Sequence, residues 1–129
     1  VISLDEDIDL FTKIFLDTDA EKGAVIEIVS KNVYGTISGS NVSTEQADIY
    51  IFNNGDFDED RRNLGNDEFL YYKYCLEIEP AENVENNAFV VEVSNLLIKL
   101  WDAGYKAIAS CDFEELLPRK GGYNFEERQ

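Results

Sequence analysis

The amino-acid sequence predicts an α+β domain: a two-layer sandwich in which a mixed sheet of about five strands carries two helices on one face and contains one β-α-β unit. Three observations between Glu68 and Glu115 carry that prediction. Leu70, Tyr72, Tyr74, Leu76 and Ile78 alternate with Phe69, Tyr71, Lys73, Cys75 and Glu77, a period of two that gives a strand one strongly apolar face, and Pro80 ends the run. Phe89, Val93, Leu96, Leu97 and Leu100 then recur at helical spacing, while Glu92, Asn95, Lys99 and Asp102 fall off that stripe. Lys106 to Asp112 supplies a second strand, with Ile108 on one face and Ala107, Ala109 and Cys111 on the other. Two strands joined through a packed helix should lie parallel, with a right-handed crossover.

The helix of this unit is expected over 87–103. Asn86 or Asn87 can accept a backbone N–H as N-cap, and Gly104 stands where a left-handed residue closes a helix. Upstream, Ser3 and Glu6 have capping-box spacing, and Ile8, Phe11 and Phe15 follow at helical intervals, so a first helix is expected from Leu4 to Leu16. Asp5, Glu6, Asp7 and Asp9 crowd its first turns, where the macrodipole favours negative charge.

Asp17 to Gly23 reads as a loop. Ala24 to Ser30 is an apolar, β-branched run broken only by Glu27 and is expected to be a strand. Lys31 and Asn32 turn the chain into a return strand over Val33 to Ser38, where Gly35 marks a bulge. Gly39 to Gln46 is a polar connection, and Ala47 to Phe52 a strand with Ile49 and Ile51 on one face. Asn53 to Asp67 is a polar loop. Residues 118–129 show no periodicity and read as an irregular tail on a single domain spanning 1–129.

Composition narrows the functional classes. With 129 residues, 44% of them hydrophobic and 12% aromatic, the chain can bury one core. Its 27 acidic against 11 basic residues give a net charge of −16, which disfavours nucleic acid or an anionic membrane as partner and leaves a basic partner, a cation or plain solubility as its use. The start of the chain lacks the basic and apolar regions of a secretory signal, so the expected location is cytoplasmic. Both cysteines fall inside expected strands and read as buried, reduced thiols. The sequence does not fix an oligomeric state.

The absence of histidine removes Ser-His-Asp and Cys-His catalysis and the usual zinc sites, and no phosphate-binding glycine motif is present, so no cofactor is expected. Asp56, Asp58 and Asp60 open like a calcium loop, but Arg61 occupies the position that needs glycine and Asp67 the position that needs glutamate. A solvated acidic loop, neutralised locally by Arg61 and Arg62, competes with that metal reading and is favoured over it. Asp112, Glu114 and Glu115 lie just past the carboxyl end of a strand, where α/β sheets place ligands, and form the alternative catalytic set for a carboxylate-based hydrolase. Ordinary surface charge is favoured over that reading. Cys111 has only carboxylates nearby, which do not activate a thiol. Phe69 and Tyr71 can form an aromatic contact patch if that face of the sheet is open, or cover neighbouring strands if it is not.

The leading expectation is therefore a small acidic binding protein, of the inhibitor or immunity-protein type that neutralises a basic, nuclease-type toxin. Asp56, Asp58, Glu59, Asp60, Phe69 and Tyr71 are its expected contact residues. A hydrolase using Asp112, Glu114 and Glu115, and a structural or regulatory domain whose charge serves solubility, stand beside it.

Overall fold

The computed structural model of the protein describes residues 8–62 and 68–123. Among these residues the chain forms β1 (Thr12–Asp17), α1 (Lys22–Val33), β2 (Thr36–Ser38), β3 (Asn41–Ser43), β4 (Ala47–Asn53), β5 (Tyr74–Pro80), α2 (Asn86–Asp102) and β6 (Lys106–Ser110). The six strands make one sheet in the order β2-β3-β4-β5-β1-β6. The two helices pack on one another and on the same sheet face, giving the two-layer α+β architecture.

Alternation decides which side chains enter the core. Ile14 of β1 sits opposite Leu76 of β5 and Ala109 of β6, and Ile51 of β4 opposite Leu76, so one row of apolar side chains crosses four strands. Val25 and Val29 of α1, with Phe89, Val93, Leu96, Leu97 and Leu100 of α2, close over that row. The α2 stripe is the one the sequence predicts, and its end is as expected: Gly104 takes φ 88°, its N–H donating to Trp101 O and that of Tyr105 to Leu100 O. The N-cap differs. Glu85 holds that position and makes no side-chain capping bond, where Asn86 or Asn87 was expected.

Every strand pairing is antiparallel, in place of the expected mixed sheet. β5 and β6 do run in the same direction on either side of α2, but β1 lies between them. That insertion follows from a change in the N-terminal element. The helix expected from Leu4 to Leu16 is a strand over its final part, while Ser3, Leu4, Asp5, Glu6 and Asp7 lie outside the described residues. Thr12, Ile14 and Leu16 face the helices, and on the other side Phe15 and Asp17 are buried beside the half-buried Lys13, so Phe15 breaks what would otherwise read as a polar face. With Phe15 buried on the outer face, Ile14, Phe15 and Leu16 run apolar in succession, the period of two is blurred, and the run imitates a helix when read with Ile8 and Phe11.

The reverse exchange occurs at α1, where a strand was expected over Ala24 to Ser30. Val25 and Val29, four residues apart, are the fully buried pair, and Ile26, Ile28 and Val33 pack around them. Tertiary burial overrides the strand preference of β-branched residues there. The return strand shrinks to Thr36–Ser38, because Val33 still belongs to the helix and Tyr34 leaves it in the left-handed region at φ 54°. Gly35 marks a close crossing instead of a bulge, since a Cβ there would collide with Val42 Cγ1. A short strand, β3, also forms within the connection expected at 39–46.

Two further segments depart from expectation. Glu68–Tyr71 is a 3-10 turn, so the strand expected from Phe69 starts at Tyr74 and Leu70 is exposed. The C-terminal stretch from residue 118 is ordered into a turn over Pro118–Gly122. Gly121 and Gly122 are buried in left-handed conformations, and Cβ atoms on them would fall 3.0 Å from Ala109 O and 2.6 Å from Ala107 O. Only residues without a side chain can bring this strap so close to the outer edge of β6, and the strap shields that edge from pairing with another chain. Residues 124–129 lie outside the described residues.

Candidate functional site

The acidic loop after β4 is a built structure. Asn54, buried, donates its backbone N–H to Lys73 O at 2.9 Å and its Nδ2 to Leu70 O at 2.9 Å and Tyr72 O at 2.7 Å, while its Oδ1 accepts the Asp56 N–H. One amide side chain thus takes up two carbonyls that the 68–73 segment would otherwise offer to a ladder, which is why that segment turns instead of extending β5. Asp58 N–H donates to Tyr71 O at 3.2 Å, and Asp58 Oδ1 accepts the N–H groups of Asp60 at 2.9 Å and Arg61 at 3.3 Å. Asp58 is therefore a turn-former.

Arg62 pins the other end of the loop. Its Nε donates to both carboxylate oxygens of Asp17, at 3.1 and 2.9 Å, and its NH2 donates to Asp17 Oδ1 at 2.7 Å. Both side chains are nearly buried, at 7% and 6% exposure. Asp17 also accepts the Lys73 N–H at 3.1 Å, so the last residue of β1 joins the loop to the start of β5. The remaining nitrogen, NH1, reaches Asp19 at 3.1 Å and Glu59 at 3.2 Å, and the guanidinium stacks near the Phe57 ring. The hydrogen bonds to Asp17 hold the guanidinium more firmly protonated than usual, against the opposing effect of burial.

The resulting surface is strongly negative. Asp17, Asp19 and Glu59 meet at Arg62, and Asp56, Asp58 and Asp60 belong to the same loop, whose described cations are Arg61 and Arg62. Asp19, Asp56, Glu59 and Asp60 remain exposed. Within the expected loop, residues 54–62 are irregular, and its pattern does not show that Asp17 and Asp19, which meet it at Arg62 more than forty residues away, belong to the same surface. Its one signal was an arginine inside an acidic run.

The four expected acidic contact residues thus lie together, with Asp58 engaged internally. Among the described residues, no group of three or more His, Cys, Asp or Glu side chains is arranged to hold a metal ion, and Asp67 lies outside them. Tyr71 adjoins the loop, half-buried, with the Arg61 guanidinium 4.1 Å from its ring centroid. Phe69 is turned toward the outer sheet face, edge-on to Tyr123 at 5.7 Å and to Phe15 at 5.3 Å, which stands in register with Cys75 and Ile108.

The alternative carboxylates are arranged differently. Asp112 and Glu115 are exposed, whereas Glu114 Oε2 accepts the Cys111 N–H at 3.0 Å. Burial pushes the Cys111 thiol up to about 11 and raises that of Cys75 as well, so neither is a ready nucleophile at neutral pH. Both are free thiols.

No helix among the described residues is long and apolar enough to cross a membrane. Compared with family models, curated proteins and solved structures, the chain matches none.

Proposed function

We propose that the protein is an acidic binding module that captures a basic protein in the cytoplasm, in the manner of an inhibitor or immunity protein for a nuclease-type toxin. The observation that carries the reading is the loop: a rigid frame built on Asn54 and the Asp17–Arg62 pair displays Asp19, Asp56, Glu59 and Asp60 to solvent on a chain of net charge −16. A fixed cluster of one sign attracts an oppositely charged partner over long range and raises its association rate. Pre-ordering of the loop lowers the entropy lost when the partner docks.

The test uses the purified basic product of a reading frame adjacent to this chain's gene. Association is measured across a salt series for the parent and for a variant with Asp56→Asn, Glu59→Gln and Asp60→Asn, sparing Asp58 because it forms the turn. Fast association at low salt, slowed by salt and by the substitutions, supports the reading. Absence of binding, or equal rates and equal salt slopes for both proteins, refutes it.

A further inference from the structure

On the helical face, the C-terminal end of α1 and the first half of α2 part to leave a groove of about 440 Å³. Val33, Ala88 and Val91 give it an apolar lining, and four carboxamides, from Asn32, Gln46, Asn87 and Asn95, open into it. Among the described residues none of those four side-chain amides is spent on another group. The only ionisable carboxylate in the groove is Glu92, half-buried, whose Oε2 accepts the Thr44 hydroxyl at 2.8 Å while Oε1 has no partner among the described residues. At the rim stands Tyr34, 94% exposed and held in the left-handed region, beside Val91 at 56%.

These features select an occupant. The lone carboxylate fixes the sign of the occupant's charge, the carboxamides around it can each turn an oxygen toward an N–H donor, and the aromatic rim at Tyr34 can lie against a planar cation. The C-terminal, negative end of the α1 dipole lies at the groove through Asn32 and Val33, while the positive end of α2 is offset by Glu92 in its second turn. A second copy of the chain is disfavoured as occupant, because each copy carries −16. We propose that the α1–α2 groove binds an arginine side chain of the basic partner, with the guanidinium on Glu92 and the methylenes on Val33 and Val91. The inference rests on the basic-partner reading given above and assigns the partner's anchor to a face separate from the steering loop. Burial raises the Glu92 carboxyl above its ordinary value, the Thr44 hydrogen bond partly opposing, and an arriving guanidinium would compensate for that burial.

The test is an amide NMR titration with N-acetyl-arginine methylamide, with N-acetyl-citrulline methylamide as the neutral isostere and octa-arginine as a probe of charge alone. The expected result is saturable shifts at Tyr34, Val91, Glu92 and Asn95 with the arginine probe in the millimolar range, none with citrulline, and at least about tenfold weaker binding in Glu92→Gln. Gln retains the shape and can still accept from Thr44, so an otherwise unchanged spectrum verifies its fold. Equal binding of the citrulline probe, undiminished binding in Glu92→Gln, or no saturable shift in the groove overturns the assignment. If octa-arginine meanwhile moves the loop at 56–60, the acidic-module reading stands without the groove; if octa-arginine binds nowhere at low salt, both fall.

Discussion

Replacing Arg62 with methionine tests whether the acidic loop is held by one buried ion pair. In the native protein Asp17 accepts three hydrogen bonds from Arg62 and one from the Lys73 N–H while almost wholly removed from water. Arg62→Met keeps much of the side-chain volume but leaves the carboxylate with the backbone donor alone. Breaking a fully buried pair from one side costs about 3 to 5 kcal/mol. Two features reduce that figure. NH1 faces the exposed Asp19 and Glu59, so solvent already reaches one side of the pair, and release of the loop would let water rehydrate Asp17, capping the loss at the loop's own docking energy. The expected loss is therefore about 2 to 3 kcal/mol in urea unfolding, with faster hydrogen exchange at Asn54, Asp58 and Lys73. Adding Asp17→Asn removes the stranded charge and should recover about 1 kcal/mol or more, a coupling readable in a double-mutant cycle. The reasoning is wrong if Arg62→Met changes stability by less than about 0.5 kcal/mol and leaves those amides protected.

Three other outcomes are expected. Gly122→Ala should destabilise the protein by about 1 to 3 kcal/mol, because the residue sits at φ 109° with Ala107 O in the way. The chain's single tryptophan, Trp101, donates Nε1–H to that same carbonyl, so a red-shifted emission should accompany the loss; unchanged emission and urea midpoint would mean the strap is not held as described. Cys75 and Cys111 should react slowly with alkylating reagents in the native state and remain two thiols under mild oxidation. β1 separates their strands, placing them roughly 9 Å or more apart, beyond disulfide reach, and recovery of a native Cys75–Cys111 disulfide would contradict the strand order. Glu92→Gln should be more stable than the parent at pH 7: a carboxyl raised by burial binds protons more tightly folded than unfolded, so it costs stability as pH rises through its folded value. The difference should shrink as pH falls below both values, and an advantage that does not change between pH 7 and about 3.5 would assign the effect to something other than ionisation.

How much of this was legible in the sequence depends on whether a segment's neighbours share its pattern. α2 was readable because Phe89, Val93, Leu96, Leu97 and Leu100 face the sheet while the opposite side meets water, so burial has the helix's own period. β4 was readable for the same reason with period two. β1 and α1 were interchanged. Ile14, Phe15 and Leu16 are apolar in succession because β1 has cover on both faces, and the β-branched residues of α1 describe a strand by preference while Val25 and Val29 are buried as a helical pair.

The acidic loop divides along the same line. Its position, its charge and its arginines are properties of the chain alone, as are the net charge of −16 and the absence of histidine that bound its chemistry. That Arg62 would turn inward to Asp17, that Asn54 would take the carbonyls of Leu70 and Tyr72, and that Glu92 would face a groove beside Tyr34 depended on which elements became neighbours. Local pattern determines an element when burial repeats with the element's own geometry. Contacts across tens of residues arise only when the sheet order brings β1 between β5 and β6 and α1 against α2, and no periodicity within a single segment encodes that order.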